Sequence, residues 1–254
     1  MQAFLSATLP SPELILIALP TLIFAYVVFG FAGFGSALVA APFLAHVMPV
    51  ADIVPLFAMM DCIAVTVNGI KLGRKIARDE LWRLVLLMAA GSMIGIYLIL
   101  TIPPRPMMLL LGLFVSAYAV YTLVMPQFTG HFSRIWVIPF GTVGGVFSAM
   151  FGAGGFLYAI YLSRRLADKD ALRGTLTALL GISNFTRFAF FTAAGVYNDG
   201  RLPVLALCAL PVMAVGLSIG HRLAGRLDRE QFIKVLCVIL IVAGVSLIGR
   251  AVYG

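Results

Sequence analysis

A chain of 254 residues, with 62% apolar residues, 11% charged residues and a net charge of +8, cannot supply the polar shell of a soluble domain. The mean hydropathy of +1.07 therefore excludes a soluble globular protein and indicates an integral membrane protein. The positive charges fall between apolar runs, which is typical of topology signals and not of a nucleic-acid-binding surface.

Ten apolar runs, separated by prolines, glycines or charges, follow one another along the chain. In order, they cover residues 13–30, 31–48, 50–70, 81–102, 107–125, 135–150, 151–162, 171–194, 202–220 and 231–251. The first run lacks a preceding basic segment, so we expect it to remain part of the protein and not to be a cleaved signal. The runs predict an all-α polytopic membrane protein.

The second half of the chain repeats the plan of the first. Each half has two adjacent runs joined by glycines, followed by three spans of near-bilayer length. The segment FAGFG at 31–35 resembles FGAGG at 151–155, which lies 120 residues later, and Gly95 lies near the counterpart of Gly216. This pattern indicates an internal duplication, with a first repeat at 1–130 and a second at 131–254 within one membrane domain.

The basic residues predict an orientation. Each glycine-linked pair begins and ends on the same side of the membrane, whether it is two full crossings or a re-entrant hairpin. The three spans that follow it each cross the membrane in turn. Fourteen basic residues then share one face: Lys71, Arg74, Lys75, Arg78, Arg83, Arg134, Arg164, Arg165, Lys169, Arg173, Arg222, Arg226, Arg229 and Lys234. The other face has Arg105, Arg201 and Arg250. The positive-inside rule makes the basic face cytoplasmic, so both termini are predicted to be periplasmic. Because each half crosses an odd number of times, the two repeats are predicted to be inverted.

The two glycine links are candidate binding elements. Glycine lets a chain leave helical geometry inside the membrane, and the half-helix N-termini that result favour an anion. The alternative is that the glycines allow close helix packing. The candidate substrate-contacting residues of the links are Gly33, Phe34, Gly35, Ser36, Gly152, Gly154 and Gly155.

Two charged residues lie deep in apolar runs, where a charge must face a partner or water. Arg187 shares a helix face with Asn184, and the two are predicted to bind a carboxylate, sulfonate or sulfite. Asp61 is predicted to couple transport to a proton or to act as the counter-ion of Arg187. The alternatives for Arg187 are a structural ion pair and a side chain that reaches the membrane surface.

Enzyme signatures are weak in this sequence. Segment 33–36 resembles a serine-nucleophile turn, but the full Gly-x-Ser-x-Gly pattern and a suitably placed histidine are missing from it. No phosphate-binding loop, metal-ligand spacing or cofactor motif occurs in the sequence. We therefore expect neither catalysis nor a cofactor.

At these residues the sequence resembles the sulfite exporter TauE/SafE family of membrane transporters. The matching features are segments 33–36 and 42–44 in the first half, and Gly144, Gly145, Ser148, segment 151–155, the 164–173 loop and Asn184 in the second. The resemblance covers residues 15–250, although Phe34 and Ser36 stand where the family often has glycine. It implies a duplicated helical transporter of the bacterial inner membrane whose substrates are small sulfur-containing anions, usually exported.

The sequence thus predicts a secondary transporter that exports a small sulfur-containing or carboxylate anion by alternating access. An anion channel and a non-transporting membrane subunit of a complex are the alternatives. The expected partners are the anion and the lipid bilayer. Coupling to a proton or other ion and assembly as a homodimer both stay open, and nucleic acid is not an expected partner.

Overall fold

Helices make up almost all of the described chain in the computed structural model, which covers residues 12–67, 75–124, 132–224, 226 and 228–253. The described helices are α1 (Pro12–Ala32), α2 (Ser36–Leu44), α3 (Val50–Val67), α4 (Arg78–Thr101), α5 (Pro104–Val124), a 3-10 turn (Arg134–Trp136), α6 (Val137–Phe151), α7 (Gly154–Arg165), α8 (Lys169–Ala193), α9 (Arg201–Ala224) and α10 (Arg229–Tyr253). The predicted repeat boundary at 130, both termini, Lys71 and Arg74 lie outside the described residues.

The protein is a multi-pass helical membrane protein. Five described segments are long and apolar enough to cross a bilayer: Arg78–Thr101, Pro104–Val124, Arg134–Phe151, Arg201–Ala224 and Gln231–Tyr253. Their outer surfaces expose large apolar side chains such as Trp82, Leu86, Tyr97 and Val242. Apolar surface exposed on this scale is typical of contact with lipid.

The two predicted glycine links are breaks between helices. Gly33, Gly35 and Gly152 have φ of 83°, 90° and 68°, the left-handed region that only glycine adopts readily. After the breaks, α2 has nine residues and α7 twelve, which correspond to lengths of about 13 and 18 Å. Both helices are shorter than the bilayer core of about 30 Å, so neither can cross it alone.

Helix α7 folds back along α6. The ring of Tyr158 lies directly over Gly144, where an added Cβ atom would collide with it. At the far end of α7, the Phe132 N–H donates to the carbonyl oxygen of Arg164 at 3.4 Å. Helix α7 therefore ends at the same end of the bundle at which α6 begins.

Polar contacts identify the two ends of the bundle. At one end Lys75 Nζ lies 3.2 Å from Asp168 Oδ2, and Glu80 Oε1 lies 2.9 Å from Arg165 Nε. The segments before α4 and around α7–α8, which hold many of the basic residues, therefore meet at this basic end. At the opposite end Arg250 Nη1 donates to the carbonyl oxygen of His46 at 2.9 Å.

Glycines hold three helix pairs at short distances. An added Cβ atom would lie 2.6 Å from the Val146 oxygen if placed on Gly95, and 2.8 Å from the Ile23 oxygen if placed on Gly216. On Gly112 it would lie 2.9 Å from the Gly244 oxygen. The pairs α4–α6, α1–α9 and α5–α10 thus pack through small residues, as is common between membrane helices. Helix α3 packs against α8 and α9, and α8 also packs against α4.

Candidate functional site

The two glycine links meet each other near the centre of the bundle. A Cβ atom added to Gly155 would lie 3.0 Å from the ring of Phe34, and one added to Gly152 would lie 2.5 Å from the Cβ atom of Ala37. Around this contact lie six buried polar side chains: Ser36, Asp61, Ser148, Ser183, Asn184 and Arg187. The links therefore bring polar groups of both halves of the chain into one cluster.

The first half contributes a carboxylate held by hydroxyl groups. Asp61 on α3 is 3% exposed. Its oxygens accept from the Ser36 hydroxyl at 2.7 and 2.8 Å, and Oδ1 also accepts from the Tyr26 hydroxyl at 3.1 Å. Ser36 is the first residue of α2, so the left-handed turn at Gly35 places its hydroxyl at the carboxylate.

The second half contributes a guanidinium that is only partly hydrogen-bonded. Arg187 on α8 is 2% exposed, and its Nη1 donates to the carbonyl oxygen of Ser148 at 3.1 Å. Its Nη2 donates to Asn184 Oδ1 and, at 3.4 Å, to Asp61 Oδ2. Within the described chain, Nε has no hydrogen-bond partner. A buried donor without an acceptor costs about 1–3 kcal/mol, so this position favours an added acceptor such as an anion oxygen.

Two helix N-termini lie beside the guanidinium. Helices α2 and α7 begin at the links, and the first N–H groups of any α-helix lack partners within that helix. The Gly152 backbone at the second link is so close that an added Cβ atom would lie 3.2 Å from Arg187 Nη1. The positive ends of both helix dipoles and the guanidinium therefore favour a negative charge at the same place.

The structure gathers most of the sequence-predicted site residues. Ser36, Asp61, Asn184 and Arg187 are linked by hydrogen bonds, and the Asp61–Arg187 contact that the sequence left as one alternative is present. Phe34 and Gly155 touch each other where the links meet.

Three of the predicted glycines have other surroundings. Gly33 is exposed, Gly35 precedes α2 with no atom within 4 Å of an added Cβ, and Gly154 packs against α6 at Ser148. At Gly154 the surroundings match the alternative of close packing. At Gly33 and Gly35 the positive φ alone calls for glycine.

The hydroxyl groups of Tyr26, Ser148, Ser183 and Tyr158 lie in or near the cluster but were not among the predicted site residues. Tyr26 bonds Asp61, and the hydroxyls of Ser148 and Ser183 lie 2.9 Å apart beside Arg187 and Asn184. Tyr158 is fully buried near the guanidinium. The available signal was weak: each is a polar residue within an apolar run, and all but Ser183 lie near a glycine link in the sequence.

A second buried carboxylate lies at the basic end of the bundle. Glu80 is 6% exposed and accepts from the Tyr161 hydroxyl at 2.8 Å and from Arg165 Nε at 2.9 Å. Arg134 Nε also lies 3.8 Å from Oε1 of the same carboxylate. Like Asp61, Glu80 is a buried carboxylate with tyrosine and arginine partners, but it is separate from the glycine links. It ties α4 of the first half to α7 of the second.

Comparison with known proteins gives one family and one curated relative. The family described as "Sulfite exporter TauE/SafE" matches residues 18–247. The chain is 28% identical over 161 residues to "Probable inner membrane transporter protein TsaS" from Comamonas testosteroni, a match that covers 63% of this chain and 67% of that protein. No solved structure matches the chain.

We expect Gly152→Ala to destabilise the protein by about 1–3 kcal/mol, because the φ of 68° is strained for alanine and its Cβ would collide with Ala37. Gly249→Ala is the matched control, since no atom lies within 4 Å of an added Cβ there and its stability should be unchanged or higher. Thermal unfolding in detergent measures both. Equal melting temperatures for Gly152→Ala and the unaltered protein would contradict this account of the link.

We expect Asp61→Ala and Arg187→Ala each to cost about 3–5 kcal/mol, because each leaves one buried charge without its partner. The double variant should be more stable than either single variant. The free energies of unfolding of the four proteins give the coupling between the two side chains. Additive losses would show that the pair does not stabilise the fold.

Proposed function

Because the chain belongs to the sulfite exporter TauE/SafE family of membrane transporters, we propose that it exports a small sulfur-containing or carboxylate anion by alternating access. The observation that carries this proposal is the incompletely bonded guanidinium of Arg187 beside two helix N-termini. A guanidinium offers a planar pair of donors that matches one edge of a carboxylate or sulfonate group. Ser36 and Asn184 lie within the same cluster and supply further polar contacts.

The helix contacts support two inverted repeats. The offset that aligns Phe31 with Phe151 also aligns Tyr26 with Val146. Gly216 packs against Tyr26, and correspondingly Gly95 packs against Val146. Two stacked aromatic pairs recur in a similar way, although Phe232 lies 118 residues after Phe114. They are Phe31–Phe232, with ring centroids 4.0 Å apart, and Phe114–Phe151, at 4.9 Å. Contacts that recur with the halves exchanged are what a pseudo-two-fold axis produces.

The position of the site supports alternating access. Asp61 belongs to the first half and Arg187 to the second, so a movement of one half against the other opens or closes the cluster. Both side chains are almost completely buried, so the cluster is closed to both sides of the membrane in this conformation. A channel with a constant pore would keep its binding groups accessible. The closed site therefore favours a transporter over a channel.

The proposed orientation puts the basic end in the cytoplasm and both termini in the periplasm. Lys75 and Asp168 share one end of the bundle, while Arg250 lies at the other. The positive-inside rule makes the end with more basic residues cytoplasmic. The bacterial inner membrane is the proposed location, since the curated relative is described as an inner membrane transporter.

We expect Arg187→Lys to weaken anion binding and uptake about tenfold or more while the protein stays folded, because lysine keeps the charge but loses the paired donors. Thermal shifts with sulfite, methanesulfonate, sulfoacetate, acetate and sulfate, followed by uptake into proteoliposomes, measure this. Arg250→Lys, at an exposed arginine far from the cluster, is the matched control and should behave as the unaltered protein. Uptake restored in the Asp61→Ala, Arg187→Ala double variant would reduce Arg187 to a structural role.

Single cysteines in a cysteine-free background test the orientation. A cysteine at the exposed position Asp168 should react with a membrane-impermeant maleimide only after the membrane is permeabilised. A cysteine at the exposed position Asn198, in the loop between α8 and α9, should react in intact cells. The reverse pattern would overturn the proposed orientation.

A further inference from the structure

The charges of the buried cluster determine what an anion must bring with it. Asp61 and Arg187 together are electrically neutral. The titratable groups around them are Tyr26 from α1, Cys62 on α3 itself, Tyr158 from α7 and Tyr197 from the α8–α9 loop. Tyrosine hydroxyls and thiols are neutral near neutral pH. Among the described groups that face the cluster, the pair therefore carries all the charge.

An anion that binds Arg187 gives this cluster a net negative charge unless something else changes. Two negative groups beside one guanidinium repel each other, and burial away from water makes each of them costly. A buried carboxylate that lies beside another negative charge binds a proton more readily. Asp61 is the only carboxylate among the described residues of the cluster, so it is the group that responds.

The geometry of Asp61 suits such a response. Its contact with Arg187 is 3.4 Å, longer than the 2.7–2.9 Å typical of a charge-assisted hydrogen bond. Its contacts with the Ser36 hydroxyl are shorter, at 2.7 and 2.8 Å, and Tyr26 lies at 3.1 Å. A hydroxyl both donates and accepts, so Ser36 can accept from a protonated carboxyl as readily as it donates to a carboxylate. Asp61 therefore keeps hydrogen-bond partners after it leaves Arg187.

We propose that an anion displaces Asp61 from Arg187, and that Asp61 then takes up one proton from water, so that anion and proton are carried together. This inference rests on the proposed function and names its coupling ion. Each transported monoanion is then accompanied by one positive charge. Transport is then electroneutral, so the membrane potential neither drives nor opposes it, and the combined concentration gradients of the anion and the proton set its direction.

The same linkage fixes a pH dependence. Because binding takes up a proton, the dissociation constant of a monoanion rises by about tenfold for each unit of pH, wherever free Asp61 is ionised and anion-bound Asp61 is protonated. Anions therefore bind more tightly as the pH falls within that range. A uniporter that binds the same anion without a proton shows no such slope.

The test counts protons as the anion binds. Purified protein in weak buffer is titrated with methanesulfonate and with acetate, whose charges do not change near neutral pH, and proton uptake is followed with an indicator dye. We expect one proton for each bound anion in the unaltered protein. Asp61→Asn should bind the anion with no proton uptake and no pH slope. Glu80→Gln is the matched control, because it alters the other buried carboxylate with tyrosine and arginine partners, and it should keep one proton per anion.

Each outcome has a distinct meaning. Binding without proton uptake by the unaltered protein, or one proton still taken up by Asp61→Asn, would overturn the coupling and leave the anion site intact. Failure of both anions to bind would contradict the proposed function itself. If Asp61→Asn does not fold without anion, the anion flux of the unaltered protein in proteoliposomes tests the coupling instead. That flux should be unchanged when a potassium gradient with valinomycin sets the membrane potential. A flux that follows that potential would overturn the inference.

Discussion

The ion pair between Asp61 and Arg187 is the constraint on which the rest of the structure depends. A charge in the bilayer core costs at least about 2.5–3.5 kcal/mol, so neither side chain is tolerated without a partner. Asp61 lies on α3 and Arg187 on α8, so each belongs to a different half of the chain. The two halves must therefore be associated for either charge to be neutralised. The hydroxyl groups of Tyr26 and Ser36 complete the hydrogen bonding that the pair alone does not supply.

The glycine links follow from the same constraint. A side chain such as Ser36 reaches the pair only because the chain turns sharply at Gly33 and Gly35 and starts a new helix there. Broken backbone inside a membrane must be covered by protein or face a water-filled cavity, and the two links contact each other at Phe34–Gly155 and Ala37–Gly152. The arrangement brings two helix N-termini, a guanidinium and a carboxylate to one place. Those are the parts that the proposed anion binding and proton uptake require.

The sequence predicted the membrane-spanning helices better than the contacts within the buried polar cluster. The runs at 81–102 and 202–220 correspond to α4 and α9, because long apolar segments bounded by charge or proline have few alternatives to spanning helices. Arg187 and Asp61 stood out since charges within apolar runs are rare. Hydropathy continued the run at 31–48 through the break before Ser36, because it does not detect a left-handed turn. Tyr26, Ser148 and Ser183 gave only a weak signal of their role in the cluster, since their partners lie on other helices and periodicity describes one helix at a time.

Anomalous diffraction from crystals grown with 2-bromoethanesulfonate tests the central claim most directly, because the bromine marks the position of the bound anion. The account predicts a bromine peak next to Arg187, sulfonate oxygens within hydrogen-bond distance of its guanidinium, and Asp61 moved beyond the 3.4 Å that separates the pair without ligand. A sulfonate bound elsewhere, with the Asp61–Arg187 contact unchanged, would contradict it.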